Sequence, residues 1–139
     1  MPMFVIVVGG GKVWTYLTSM LLNAGYRARL IEARQEELPR LKRELPEDAV
    51  VWGNGTDPNV LESAGIRQAQ VVAAVTGGDE TNLVVASLAR FEFGVARVIG
   101  RVNNPKNAWL FGPDMGVDVA LNQADLMARM IAEEMSLGD

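Results

Sequence analysis

Three consecutive glycines, Gly9, Gly10 and Gly11, follow the apolar run FVIVV and precede an amphipathic segment. A strand that turns sharply into a helix and offers bare backbone N–H groups to a diphosphate needs glycine, because a Cβ would block both the turn and the approach. Gly9 and Gly11 match the first two glycines of the pattern G-x-G-x-x-G, whereas Trp14 takes the third position. The loop therefore predicts a phosphate-binding turn. Because Trp14 is large, we expect either that the following helix is slightly displaced from its usual position or that the indole leans toward a ligand or a partner chain.

A carboxylate closes the next apolar run. Glu32 lies 23 positions after Gly9, at the end of RARLIE, where it can accept hydrogen bonds from both ribose hydroxyls of an adenosine and would repel a 2′-phosphate. These residues favour NAD(H) or ATP/ADP over NADP, although Arg34 nearby leaves NADP open. The alternative interpretation is a tight glycine turn and a solvated acid at a strand end.

Polar residues follow the later apolar runs as well. Asn54 to Asp57 come after DAVVW, Thr76 and Gly77 after AQVVAAV, and Arg101 after ARVIG, where its guanidinium could pair with phosphate. Capped helix starts at Thr56 or Asp57 and at Asp79, and a surface salt bridge at Arg101, are the alternatives. The full set of predicted ligand-contacting residues is Gly9, Gly10, Gly11, Lys12, Val13, Trp14, Glu32, Ala33, Arg34, Asn54, Gly55, Thr56, Asp57, Val75, Thr76, Gly77, Asp79, Asn82 and Arg101.

The elements that would position these residues alternate along the chain. Apolar runs rich in Val, Ile, Leu and Ala are typical of parallel strands covered on both faces, and they occur at 3–8, 27–32, 48–52, 69–75, 96–100 and 117–121. Helical patterns occupy 11–24, 35–45, 58–65, 79–93, 105–111 and 123–136. This alternation predicts an α/β fold of the Rossmann type, a doubly wound parallel six-stranded sheet in the order 3-2-1-4-5-6 with helices on both faces.

Composition limits the chemistry. The 139 residues contain no cysteine and no histidine, which removes disulfides, thiolate nucleophiles, the usual zinc ligands and the commonest general base. A net charge of −4 argues against a nucleic-acid partner. No apolar run approaches the roughly 18 residues of a membrane span, and no secretory signal is evident, so we expect a cytoplasmic domain. Binding is favoured over catalysis, and we predict no catalytic residue and no metal site.

Three segments then resemble a known family: VVGGGKVWTYLTSMLLNAGYRARLIE, GNGTDPNVLESAGIRQAQVVAAVTGGDETNLVVASLAR and VIGRVNNPKNAWLFGPDMGVDVAL. In this order they are similar to the nucleotide-binding half of RCK/KTN domains, also called TrkA-N, over about residues 3 to 134. These domains are cytoplasmic regulatory subunits or gating modules of potassium transporters and channels. The resemblance implies that Arg101 contacts phosphates, that the segment from Thr76 to Asn82 closes over the ligand, and that Asp79 or Glu80 meets a cation or a partner subunit. The family loop often reads GDATD, so Asn54 replaces a usual acid.

The resemblance also implies partners. We expect a homodimer, with a higher ring assembly as a further option, bound to an integral-membrane potassium transporter or channel at the inner face of the membrane. An apolar stripe on the last helix would cross to the second subunit or, alternatively, pack on its own core; it comprises Leu126, Met127, Met130, Ile131 and Met135. Residues 1–139 would form one domain, without the effector domain that commonly follows.

Two other functions stay open at this point. One is the coenzyme domain of an NAD-dependent oxidoreductase, in which Lys12, Tyr16, Lys106 or an acid would have to move the proton. The other is a nucleotide-free scaffold whose crevice is blocked by Trp14.

Overall fold

The structure, a computed structural model, describes residues 2–137. Its strands are Phe4–Val8 (β1), Arg27–Glu32 (β2), Val50–Trp52 (β3), Val71–Ala74 (β4), Arg97–Arg101 (β5) and Val119–Leu121 (β6). They form a single sheet in the order β3-β2-β1-β4-β5-β6, and every pairing is parallel. The predicted sheet and its strand order are confirmed.

The helices are Lys12–Asn23 (α1), Leu38–Glu44 (α2), Pro58–Ser63 (α3), Asp79–Ser87 (α4) and Gln123–Leu137 (α5). Short 3₁₀ segments lie at Gln35–Glu37, Glu47–Ala49, Ile66–Gln68, Pro105–Leu110 and Pro113–Met115. A π-helical turn, Leu88–Glu92, continues α4, so the predicted helix over 79–93 has two geometries.

Two predicted helices differ in type from what is observed. The segment 35–45 divides into a 3₁₀ turn followed by α2, because Pro39 has no N–H with which to bond the carbonyl of Gln35. The segment 105–111 is a 3₁₀ helix, with Asn107 N–H donating to the carbonyl of Asn104 over 2.9 Å. Pro39 thus explains the division of segment 35–45, and hydrogen bonds between residues three apart explain the 3₁₀ geometry of segment 105–111.

Strand β1 is buried on both faces because helices cover the sheet on both sides. Phe4, Ile6 and Val8 pack against Leu61 of α3 and Val85 of α4. The side chains between them contribute to a second cluster with α1 and α2, which comprises Val5, Val7, Trp14, Leu30, Leu41, Leu45, Ala49, Ala73 and Val75. The two layers hold the carboxyl ends of the central strands at one edge of the sheet, where the order reverses between β1 and β4.

In residues 2–137, no helix has both the length and the apolar character that a bilayer span requires.

Candidate functional site

A cleft of about 510 Å³ opens at the carboxyl ends of the central strands. Open α/β sheets bind ligands in the crevice at this reversal point. The predicted residues that line it are Gly9, Gly10, Gly11, Glu32, Ala33, Arg34, Asn54, Gly55, Val75, Thr76, Gly77 and Arg101. Sequence reasoning missed Val8, Ile31, Gly53, Gly78 and Thr81, which also line the cleft. They are small or apolar residues next to predicted ones and carry no distinct signal.

The glycine loop has a different requirement at each position. Gly9 has a φ of +124°, and a Cβ there would lie 3.0 Å from the backbone of Val75 and Thr76. A Cβ on Gly10 would lie 2.5 Å from Oε2 of Glu32. Gly11 is free of such limits, because its nearest neighbour would be Cδ1 of Trp14 at 3.7 Å. The first two glycines are therefore needed for packing within the chain, whereas packing within the chain does not require the third.

Helix α1 begins at this loop without a side-chain cap. Gly11 is its N-cap residue, no side chain accepts from its first amides, and its first turn contains no acidic residue. The first N–H groups of a helix lack intrahelical partners and carry the positive end of the helix dipole. A diphosphate placed at Gly11 would satisfy both features.

Glu32 lies beneath the loop and is 3% exposed. Its Oε1 accepts hydrogen bonds from the backbone N–H of Arg34 at 3.1 Å and from Nε of Arg34 at 2.6 Å. The hydrogen bond with Glu32 raises the pKa of Arg34, and the nearby charges of Glu32 and Glu37 add to this effect, while burial opposes it. No described residue donates to Oε2 of Glu32, so this oxygen is available to a ligand in the cleft.

Arg40 contacts the glycine loop but is not among the residues that line the cleft. Its Nη2 donates to the carbonyl of Gly10, and its Nη1 donates to Oγ1 of Thr15 over 3.2 Å. The Arg40 side chain is 17% exposed and also pairs with Glu37 through a 3.1 Å contact. Sequence reasoning missed this residue because it is 30 positions away from Gly10 and lies close to exposed charged residues on α2.

Asn82 joins the ends of β4 and β5. It is fully buried, and its Oδ1 accepts from the backbone N–H of Thr76 at 2.9 Å and from the Thr76 hydroxyl at 2.7 Å. Its Nδ2 donates to the carbonyls of Thr76 and Arg101. Asn82 thus does not line the cleft but fixes two residues that do.

Asp79 orders the loop that follows β5. Its carboxylate accepts from the backbone N–H groups of Asn103 at 2.6 Å and Asn104 at 2.9 Å, and from the side chain of Asn107 at 2.8 Å. Burial acts to raise the pKa of Asp79, but the hydrogen bonds from Asn107 and the two amides outweigh it and hold the pKa below its usual value. Asp79 lies outside the cleft lining.

Arg101 ends β5 and lines the cleft, with Nη1 3.5 Å from the carbonyl of Val75. It forms no salt bridge with a described acidic residue, so the surface ion pair considered above is not observed. Its guanidinium remains available to an anion in the cleft.

Other predicted residues lie elsewhere. Asp57 caps α3 by accepting from the amide of Asn59 at 2.9 Å, and Thr56 donates to the side chain of Asn54. Lys12 and Val13 are exposed on α1. None of these four residues, Lys12, Val13, Thr56 and Asp57, lines the cleft.

Trp14 requires a correction. Its indole is 8% exposed and packs in the core with Leu30 and Leu41, because the third position of the glycine pattern faces the sheet once α1 has begun. The expected contacts of Trp14 with a ligand or a partner chain are replaced by a core contact. A crevice blocked by this side chain is likewise not observed.

A parallel sheet with this strand order, a glycine loop leading into α1 and an acid at the end of β2 defines the Rossmann-type class of nucleotide-binding folds. Within this class the chain belongs to the TrkA-N domain family, whose model matches residues 5–123.

A curated relative supports this assignment. The Trk system potassium uptake protein TrkA of Mycobacterium tuberculosis (strain ATCC 25618 / H37Rv) is 38% identical over 137 residues, which cover 99% of this chain and 61% of that protein. The chain thus spans about three fifths of the length of this relative.

Two solved structures share the fold. The NAD(P)-binding domain of an exopolyphosphatase-related protein from Archaeoglobus fulgidus has a TM-score of 0.78 and 22% identity, covering 95% of this chain and 96% of that one. GsuK bound to ADP has a TM-score of 0.77 and 20% identity, covering 99% of this chain and 35% of that one.

Proposed function

We propose that this chain is a regulatory nucleotide-binding domain that controls potassium transport by a membrane transporter or channel. The observation that carries the proposal is the open cleft between an uncapped helix start at Gly11 and the free Oε2 of Glu32. Membership in the TrkA-N family and the 38% identity to a potassium uptake protein support the regulatory role.

The ligand is an adenosine nucleotide, NAD(H) or ATP/ADP. Its pyrophosphate would lie on the amides at Gly11, its ribose hydroxyls would bind Oε2 of Glu32, and Arg101 would pair with a phosphate oxygen. The negative charge of Glu32 disfavours NADP, and Arg34 is already engaged by that carboxylate. GsuK, which shares the fold, has been solved with ADP and with NAD.

The domain acts by binding and has no catalytic role in this proposal. Nucleotide exchange biases the membrane partner only through the difference in affinity of the nucleotide for the two states of the assembly. The rival, an NAD-dependent oxidoreductase, needs a proton donor at the cleft. Its candidates Lys12, Tyr16 and Lys106 are exposed residues outside the cleft lining, and the acid that lines the cleft, Glu32, is paired with Arg34. Turnover of a hydroxy acid or aldehyde with NAD would favour that rival.

The apolar stripe of α5 points to a second copy of the chain. Positions 124–136 are exposed, and the five large apolar side chains of the stripe are 49% to 68% exposed. The alternative that this stripe packs on its own core is wrong for the described residues, since α5 covers no core cluster. An apolar helix face of this size is stable in water when another surface covers it. We therefore propose a homodimer through α5, with a ring as a further level of assembly, located at the inner face of the membrane.

A thermal-shift panel of NAD, NADH, NADPH, ATP, ADP and AMP tests the binding function. A ligand that binds only the native state at 100 times its Kd adds about 2.7 kcal/mol of stability. We expect ligands that contain adenosine diphosphate to raise the Tm, NADPH to raise it less, and both Glu32→Ala and Arg101→Ala to reduce the effect.

Arg97→Ala is the matched control for Arg101→Ala. Arg97 is exposed at the opposite end of the same strand, so its loss should leave the ligand-induced shift unchanged. A flat response of the wild type to every nucleotide would refute the binding function. A stronger response to NADPH than to NADH would refute the role of Glu32.

A further inference from the structure

Arg40 makes contacts that the proposed function does not yet explain. It lies outside the cleft, yet its guanidinium donates to the carbonyl of Gly10, to Thr15 Oγ1 at 3.2 Å and to Glu37 Oε2 at 3.1 Å. Glu44 Oε2 at 3.5 Å is a fourth acceptor, and a half-buried arginine with this many partners is costly to order and is held in one geometry. Its position behind the glycine loop therefore has a specific consequence for the loop.

The consequence follows from peptide geometry. The carbonyl of Gly10 and the N–H of Gly11 belong to one planar trans peptide, so they point in opposite directions. Arg40 holds the carbonyl toward α2, and the Thr15 hydroxyl is also 3.3 Å from it. The N–H of Gly11 is thereby directed away from α2, and no described residue accepts a hydrogen bond from it.

This peptide needs an external restraint. Both residues that flank it are glycines, which lack the Cβ that limits backbone rotation in other residues. Without Arg40, the Gly10–Gly11 peptide could rotate and withdraw a donor from the cleft. The Thr15 hydroxyl alone is a weaker restraint, because it is shared with the carbonyl of Gly11 at 3.0 Å.

We propose that Arg40 is a positioning residue for the pyrophosphate of the bound nucleotide, acting through the Gly10 carbonyl to aim the Gly11 amide at a phosphate oxygen. This inference rests on the proposed function. The charge of Arg40 is balanced by Glu37 and by Glu44 at 3.5 Å, so orientation of the peptide is its main contribution and a general positive field is not.

The test compares ADP with adenosine, because only ADP carries the pyrophosphate. We expect Arg40→Met to weaken ADP binding about tenfold in isothermal titration calorimetry, which corresponds to about 1.4 kcal/mol, and to change adenosine binding less than about twofold. Arg43→Met is the matched control, since Arg43 is exposed on the same helix and forms no hydrogen bond or salt bridge with a described residue. It should bind both ligands as the wild type does.

A second measurement does not depend on ligand affinity. In Arg40→Met without nucleotide, we expect relaxation-dispersion NMR to show new exchange at the amide of Gly11, and none in Arg43→Met. If Arg40→Met fails to fold, Arg40→Lys keeps the charge but loses the forked donors, and it should show the same exchange and at least a threefold loss for ADP.

Equal losses for ADP and adenosine, or wild-type affinity for both together with no exchange, would overturn the inference. A wild type that binds no adenine nucleotide would refute the proposed function instead, and the exchange measurement would still decide whether Arg40 restrains the peptide.

Discussion

Replacing Gly11 by alanine is expected to weaken nucleotide binding while leaving the fold intact. The added Cβ would lie 3.7 Å from Cδ1 of Trp14, an ordinary contact, and the φ of −63° at Gly11 suits any residue. Gly10→Ala is the contrasting variant, because its Cβ would lie 2.5 Å from a carboxylate oxygen of the buried Glu32. Gly11→Ala should therefore affect ligand binding, whereas Gly10→Ala should affect the stability of the fold.

The magnitudes follow from these contacts. Alanine is a poorer N-cap than glycine and lowers the free energy of unfolding by about 1 kcal/mol. The reduced freedom of the unfolded chain raises it by about 0.4–1 kcal/mol. Gly11→Ala should therefore leave the free energy of unfolding within about 1 kcal/mol of the wild type. Gly10→Ala must displace the paired, buried Glu32 and should lose about 2–4 kcal/mol.

Nucleotide affinity should fall in Gly11→Ala although its stability is nearly unchanged. A methyl group at the start of α1 separates the helix amides from the phosphate and removes charge-assisted hydrogen bonds, so we expect Gly11→Ala to weaken ADP binding about 10- to 100-fold. Urea unfolding and calorimetric titration of the same samples provide both values. Wild-type affinity in Gly11→Ala would refute the placement of the diphosphate, and a stability loss equal to that of Gly10→Ala would refute the account of the contacts.

Three further outcomes are expected. The hydrogen bonds from Asn107 and neighbouring amides keep the pKa of Asp79 below its unfolded value. The stability that Asp79 contributes is therefore present above about pH 4 and is lost as pH falls through the lower folded pKa. Urea midpoints of the wild type, measured from pH 6 downward, should decline more steeply than those of Asp79→Asn. Asn82→Leu leaves several buried groups without partners and should lower the free energy of unfolding by about 2–4 kcal/mol in urea titrations. Ile131→Glu should convert the dimer to a monomer by light scattering, whereas Ala132→Glu, which adds the same charge on the face of α5 away from the stripe, should not. A monomeric wild type would contradict the proposed assembly.

Much of the fold is predictable from sequence because β1 and its neighbours are buried on both faces and therefore appear as continuous apolar runs. The parallel order follows from the helices between them. The boundaries near Pro39 are less predictable, because a proline fits the first turn of a helix but also interrupts a helix that began before it. The change from α to π geometry after Ser87 also depends on packing, and no local pattern marks it.

The cleft is predictable where its residues lie directly after strands. Gly9, Glu32 and Arg101 occupy such positions, and the topology brings them together. Trp14 was misjudged because the motif specifies a small residue but does not reveal which way a larger one would point. The role of Arg40 cannot be predicted from sequence, since it depends on a contact with a backbone carbonyl 30 residues away.

The contact beneath Gly10 also restricts how this sequence can change over time. Any side chain at position 10 would enter the space held by the carboxylate of Glu32. A shorter residue must therefore appear at position 32 before position 10 can vary, and the reverse order passes through a poorly folded intermediate. The two sites form an epistatic pair, and lineages that keep the acid are expected to keep the glycine.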